Sequence, residues 1–342
     1  MALEHGSSAR RLSRVVARRT LLGWLIVGAV ACGDDIPDVA IAADTELPVG
    51  ALGSSSGPAS STGSEGADDC AGTSTGDEVV TFTGSLRVMT FNILCSLCDP
   101  SYDPWDDRVP WIGDTITRHD PDLVGLQEPV FPEEVDELLA VAPGYVPIYF
   151  DEPGLEYPDA TILYRESMFE PVEHGFYWLS PTPDVPHSRG FAEGFQLARL
   201  VTWTVLRRLE DDAQLYFATT HFDNNTPSQE LSAPLVLERV TPFVETLPVV
   251  MVGDFNSRPD SIAYATLTGE GGFVDTFDIA DVWRVDHNAA RRPDYDTTIR
   301  IDHVFVAGAD WTVPEWVVDL WRYGDSTLPV SDHWAITADL SL

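Results

Sequence analysis

The strongest constraint on the fold is a series of short apolar runs that recur from Ser85 to Leu342 and end again and again in a polar residue. They are Leu86–Asn92, Asp122–Gln127, Ala160–Tyr164, Arg199–Leu206, Leu215–His221, Val249–Gly253, Arg300–Val306 and His333–Leu340. Runs this short, bounded by Gly, Pro or charge, read as strands rather than helices. Helical stretches lie between them. Arg108–Arg118 places Ile112 and Ile116 on one face, and Phe131–Ala140 has Pro132 in its first turn with acids following. A third helix is expected to start at Thr226-Pro227, with Pro234 and Pro242 breaking or kinking it. Alternating strands and helices over residues 85–342, without a repeat or an obvious break, predict one α/β domain.

The upstream segment has a different character. Residues 1–32 carry Arg10, Arg11, Arg14, Arg18 and Arg19, then an apolar run from Leu21 to Ala31, then Cys32. That run is too short to span a bilayer, which needs roughly 20 residues. A basic start, a short apolar stretch and a small-residue end describe an export signal. Arg18-Arg19-Thr20-Leu21-Leu22 is similar to a twin-arginine motif, and Ala29-Val30-Ala31-Cys32 resembles a bacterial lipobox, which would make Cys32 a lipidation site. The other outcome is ordinary cleavage near Ala31 and release. Residues 33–84 are rich in Ser, Gly, Thr and Asp, too apolar-poor to offset the entropy of ordering, and are expected to be a flexible tether. The expected location is therefore the bacterial cell envelope, through a lipid anchor in the membrane, or the exterior as a secreted monomer. Cys70 falls in the tether, and Cys95 with Cys98 forms a lone C-x-x-C. In an exported chain that pair is expected to be a local disulfide, because zinc would need two further ligands.

Charge narrows the function classes. The chain has 55 acidic and 20 basic residues, a formal charge of −35, and every basic residue is Arg. Residues 85–342 alone hold 44 acids against 15 Arg. Such a surface lacks the basic stripe of a nucleic-acid binder, so tight nucleic-acid binding is not expected.

The polar residues at the run ends carry the chemistry. Met89-Thr90-Phe91-Asn92 ends in an amide and Gly125-Leu126-Gln127-Glu128 in Gln-Glu. Thr219-Thr220-His221 ends in His, and Gly253-Asp254-Phe255-Asn256 in Asp-x-Asn. Ile301-Asp302-His303 and Ser331-Asp332-His333 flank two further runs. Singly, each has an ordinary explanation: a strand-end turn, an Asx turn, a loop cap, a core histidine. Together, carboxylates, amides and imidazoles at strand ends suit an oxygen-ligated cation beside a general base.

In this order and number the motifs resemble the endonuclease/exonuclease/phosphatase superfamily, over essentially all of residues 85–342. The matching stretches are MTFNIL at Met89, GLQE at Gly125, TTHFDN at Thr219, GDFNSRP at Gly253, RIDHVFV at Arg300 and SDHWAI at Ser331. Gly175–Asp184 and Arg199-Leu200-Val201-Thr202-Trp203 are similar to segments of a bacterial hydrolase branch. The resemblance implies a deoxyribonuclease I-like four-layer α/β/β/α sandwich with two mainly antiparallel sheets, and a metal-dependent hydrolase of phosphate esters. It implies Mg²⁺, with Mn²⁺ or Ca²⁺ as substitutes, held by Glu128, Asn92 and Asp332, Asn92 serving either the metal or the phosphate. Asp254 and Asn256 would orient the attacking water. His333, held by Asp302, would be the general base or a phosphate-orienting imidazole, and His221 would bond a phosphate oxygen or assist the leaving group. The acid behind His221 is left between Glu156 and Asp159. Arg199 would contact phosphate or simply pack. The acidic domain favours a small-molecule or lipid ester, a secreted nuclease being the alternative; a non-catalytic binding protein on the same fold is a third class.

Overall fold

β1 (Ser85–Asn92) is buried along most of its length, as expected of a strand covered on both faces. In the computed structural model, which describes residues 79–191, 196–270, 272–324 and 328–342, it sits near the middle of a sheet. The leader, Cys32, Cys70 and nearly all of the tether lie outside the described residues. The chain continues through α1 (Trp105–His119), β2 (Leu123–Gln127), α2 (Pro132–Val141), β3 (Tyr145–Phe150), β4 (Tyr157–Arg165), β5 (Phe169–Trp178), β6 (Leu200–Arg208), β7 (Gln214–His221) and α3 (Ser228–Val244). It ends with β8 (Val249–Asp254), α4 (Ile262–Ala265), β9 (Val274–Asp275), α5 (Thr276–Ile279), β10 (Trp283–Asp286), β11 (Asp302–Ala307), β12 (Thr312–Asp319) and β13 (Ile336–Ser341).

The strands form two mixed, mainly antiparallel sheets, in the orders β10-β12-β13-β1-β2-β4-β3 and β5-β6-β7-β8-β11-β9. Their facing sides share one core that includes Val88, Leu123, Ile162, Phe217, Val252, Val304 and Ile336. Ile112, Ile116 and Leu138 of α1 and α2 pack on the outer face of the first sheet, against Met89, Phe91 and Val124. Ala233, Val236 and Val240 of α3 pack on the outer face of the second, against Tyr216, Ala218 and Met251. This is the α/β/β/α sandwich that the resemblance implies. Among the described residues no helix is long and apolar enough to cross a membrane.

Three expectations change. α3 runs through Pro234 and Pro242 without ending. A helical proline forfeits one main-chain bond, and the apolar face packed on the sheet retains the helix despite that loss. His333 and Arg300 lie outside the strands expected to contain them, in the approaches to β13 and β11. The packed unit also begins before Ser85. Gln214 N–H donates to Val80 O at 2.7 Å, Phe82 N–H donates to Gln214 O at 2.9 Å, and the Phe82 ring is buried under Arg208. Burial of such a ring contributes about 1.5–3 kcal/mol, so residues assigned to the tether help to close the second sheet.

Gly125 of β2 shows how closely the sheets approach beneath the site. A Cβ there would meet Thr219 Oγ1 and Val252 Cγ2, each at 2.4 Å. Gly125→Ala is therefore expected to lower unfolding stability in urea by about 1–3 kcal/mol, the cost of overpacking. An unchanged midpoint would show that the sheets can part without loss.

Candidate active site

Strand register assembles the site. His221 lies opposite Asp254 where β7 pairs with β8, and Asp254 lies opposite Asp302 where β8 pairs with β11. In the other sheet Asn92 is opposite Gln127 at the ends of β1 and β2, which puts Glu128 at the same edge. Neighbouring strands thus have an end at one level, the last residues of β7, β8, β1 and β2 and the first of β11.

Asp254, 1% exposed, is at the centre. Its Oδ2 lies 3.5 Å from His221 Nε2, 3.6 Å from His333 Nε2 and 3.2 Å from Asn92 Nδ2, which donates to it. Its Oδ1 accepts the Asn256 N–H at 2.8 Å. Burial would raise this carboxyl, but His333, His221 and the two donors outweigh it and hold the pKa below the usual range.

Each imidazole is backed by a second acid. His333 Nδ1 is 2.8 Å from Asp302 Oδ2, and His221 Nδ1 is 2.9 Å from Asp159 Oδ1. Both rings can therefore carry a proton on Nδ1 and present Nε2 to the cleft, an orientation that the carboxylates fix. Burial opposes the charged form of His333, yet Asp302 and Asp254 raise its pKa well above the ordinary value. Asp302 is pushed up, by burial first and by Asp254 as well. Asp159 is the partner of His221 that the sequence leaves undecided. Glu156 is exposed and accepts from Gly154 N–H.

A second group of acids flanks this centre. Glu128 has a left-handed backbone, φ 74°, and its carboxylate is held by two donors: Asn92 Nδ2 to Oε1 and Cys95 N–H to Oε2, both at 2.9 Å. Asp332 is close by, its carboxyl pushed up by partial burial and by the charge of Glu128. Among the described residues no arginine pairs with either acid in the ion pairs found. Two acids that feel each other's charge and have no arginine partner fit a hard divalent cation. Asn92 fits that set differently from expectation: its Oδ1 accepts from Leu94 N–H, and its Nδ2 spaces Glu128 from Asp254. The donor end of the amide faces the acids, and its two N–H groups are taken by Glu128 and Asp254.

Arg199 is not free to bind phosphate. It is buried, its Nη1 donates to Asp159 Oδ2 at 2.8 Å, and it lies 2.6 Å from His221 Nδ1. Its charge is spent behind the His221 pair. Asn256 has φ 46°, and its Nδ2 donates to Phe222 O, tying the ends of β7 and β8 together. Cys95 and Cys98 are bonded to each other, with Cα atoms 5.2 Å apart.

Sequence reasoning missed several supporting residues. Arg108 is 2% exposed and donates to the carbonyls of Ile93, Leu94, Cys95, Asp103 and Val330. It joins the loop after Asn92 to the loop before Asp332. Its signal was visible: it lies one helical turn before Ile112, on the apolar face of α1. Ser331 Oγ donates to Asn92 O at 2.7 Å and accepts from His333 N–H, linking the same loops. His303, to which the sequence gives no role, is buried between Asp275 and the carbonyl of Ser257.

A model of the Endonuclease/Exonuclease/phosphatase family matches residues 89–333, and the chain belongs to that family. It is thus a hydrolase of phosphate esters, in a family generally dependent on divalent metals. Among solved structures, a mannosyl-6-phosphatase from Bacteroides thetaiotaomicron is 27% identical, with a TM-score of 0.64, covering 75% of this chain and 100% of that one. The human Nocturnin catalytic domain, at 20% identity and a TM-score of 0.55 over 77% of this chain and 96% of that one, shares the fold. Protein angel of Drosophila melanogaster is 27% identical over 179 residues, 50% of this chain and 49% of that protein. The chain thus spans about half the length of that curated relative.

The network beneath the Asp302 strand gives a pH-dependent test. Asp275 accepts from Arg300 and contacts His303; burial would raise its carboxyl, but these partners lower it from 3.8 to about 2. A carboxyl depressed on folding adds stability above its unfolded pKa and loses it as pH falls through the folded value. Asp275→Asn should be less stable by about 3–5 kcal/mol at neutral pH, as when a buried pair is broken. The gap should narrow between about pH 4 and pH 2. Unfolding curves across that range that keep a constant gap would contradict the assignment.

Proposed function

We propose that the protein is an exported, Mg²⁺-dependent phosphoesterase of small polar esters, with sugar phosphates as the substrate class. The observation that carries the substrate reading is where the positive charge lies. Arg199 is consumed by Asp159, Arg300 by Asp275, Arg118 by Asp319, and Arg87 by Asp339, while the chain has no Lys to replace them. A polynucleotide needs a row of cations along its backbone, whereas one phosphate needs only a local set of donors. The similarity to a mannosyl-6-phosphatase supports the same class. Tyr157 and His187, both partly open, stand edge to face at 5.2 Å and pack against buried Trp178.

Glu128 and Asp332 would hold the ion, which supplies neutralising charge at a phosphate oxygen. Asn92 Nδ2 would hold Glu128 and Asp254 in place beside the phosphate. Asp254, flanked by both imidazoles, orients a water with Asn256, and His333, whose charged form Asp302 and Asp254 favour, directs its Nε2–H at the phosphate. His221, held by Asp159, donates from Nε2 to the phosphate or its leaving oxygen. Residues 1–32 provide export, and Cys32 is the anchor. An apolar shift of the mature protein that Cys32→Ala abolishes would support the anchor, and a soluble wild type would refute it.

Purified protein is expected to release phosphate from mannose 6-phosphate or another sugar monophosphate only with Mg²⁺, and to leave plasmid DNA intact. His333→Ala and Asp254→Ala should fold normally and lose about 10²–10³ in turnover or more, the cost of one transition-state donor. Cleavage of DNA in preference to small esters would overturn the substrate reading. Near-normal turnover in either variant would remove that residue from the mechanism.

A further inference from the structure

Cys95 is tethered at every polar group it has. Its N–H donates to Glu128 Oε2 at 2.9 Å, its carbonyl accepts from Cys98 N–H and from Arg108 Nη2, each at 3.4 Å, and its sulfur is bonded to Cys98. Cys95 is 3% exposed, whereas Cys98 is partly open to solvent. The disulfide closes the turn that starts at Cys95, three residues beyond Asn92, so the bond acts on one of the two residues whose donors hold Glu128.

We propose that the Cys95–Cys98 disulfide is a positioning element for Glu128 that makes divalent-metal affinity depend on the redox state of this pair. The inference rests on Glu128 being a metal ligand. With the turn closed, the Cys95 amide stands ready and Glu128 loses little further freedom when a cation arrives. With the turn open, the amide moves with its loop, and ordering the carboxylate again opposes binding. The loop is so short that its closure adds little to the stability of the whole domain. The bond's effect therefore falls on the carboxylate beside it. As a disulfide the two sulfurs cannot themselves ligate the ion, so their role is mechanical. A dithiol reagent would deliver two electrons and two protons to the S–S bond, leaving two thiols and becoming a disulfide itself.

The test uses the full chain with Cys32→Ser and Cys70→Ser, so that only this pair responds to reductant. Mg²⁺ is titrated calorimetrically into the oxidised protein, the dithiol-treated protein and a Cys95→Ser/Cys98→Ser variant. The last two should bind Mg²⁺ about ten-fold or more weakly, the usual effect of losing a donor behind a metal ligand. Near-ultraviolet circular dichroism and thermal midpoint should stay close to those of the oxidised form. Saturating Mg²⁺ should restore turnover, because the machinery of Asp254 and His333 is untouched. Equal affinity in all three forms would overturn the proposal while leaving Glu128 as a ligand. A collapse of the dichroism on reduction would overturn it too, by giving the bond a general structural role. Absence of Mg²⁺ binding in the oxidised protein would instead remove the ligand reading on which it stands.

Discussion

Asp254 is a carboxylate out of reach of water, and a buried charge is tolerated only when its surroundings neutralise it and fill its lone pairs. Here the neutralisation comes from imidazoles, His221 on one side and His333 on the other, with amide donors from Asn92 and Asn256. That arrangement sets the level at which β7, β8 and β11 must stop, because each strand contributes one member of the group by register. It also requires the second sheet to face the first closely enough for Asn92 to reach across, which is the approach that Gly125 permits.

The same logic explains why the acids occur in layers. Each histidine beside Asp254 has its own carboxylate behind it, Asp159 or Asp302, and Arg199 then balances Asp159. Asp302 has no such arginine, and its Oδ1 has no hydrogen-bond partner, so its charge is matched mainly by His333. The two sides are similar in shape and unlike in charge. One holds an imidazole between an acid already neutralised and Asp254; the other holds an imidazole between two acids. A group that must hold a positive charge belongs on the second side, because the two acids favour it there.

The sequence exposed the site motif by motif, because strand ends are short and their polar residues interrupt apolar runs. Asn92, Glu128, His221, Asp254, Asp302 and His333 were legible for that reason, and the fold followed from their order. What was not legible depends on distance across the fold. Whether Asp159 or Glu156 backs His221 depends on which residue of β4 faces β7, and the side-chain alternation of β4 could not be phased without its partner strand. The role of Arg199 turned on the same unknown. β3, β5, β9, β10 and β12 were missed because their residues mix buried positions with partly or fully exposed ones, as in the exposed middle of β5. Pro234 and Pro242 do not break α3, where packing on the sheet outweighs local propensity.

A chain without lysine must give every structural cation to arginine, and Arg108 shows what that makes available. A buried ammonium has three donors around one point and is strongly hydrated, so it would be poorly satisfied among scattered carbonyls. The guanidinium is planar, with donors spread along a fork, and it reaches Ile93, Leu94 and Cys95 on one loop and Val330 on another at once. Burial lowers its pKa, yet a guanidinium stays protonated, so the clamp cannot titrate open. Its charge also lies behind Glu128 and Asp332, which both favour its protonated form. One residue thus fixes the spacing between the loop whose Cys95 amide holds Glu128 and the loop that carries Asp332, and partly offsets the repulsion of the two acids. The same acids remain free of direct arginine contact on the cleft side, where a cation has to enter.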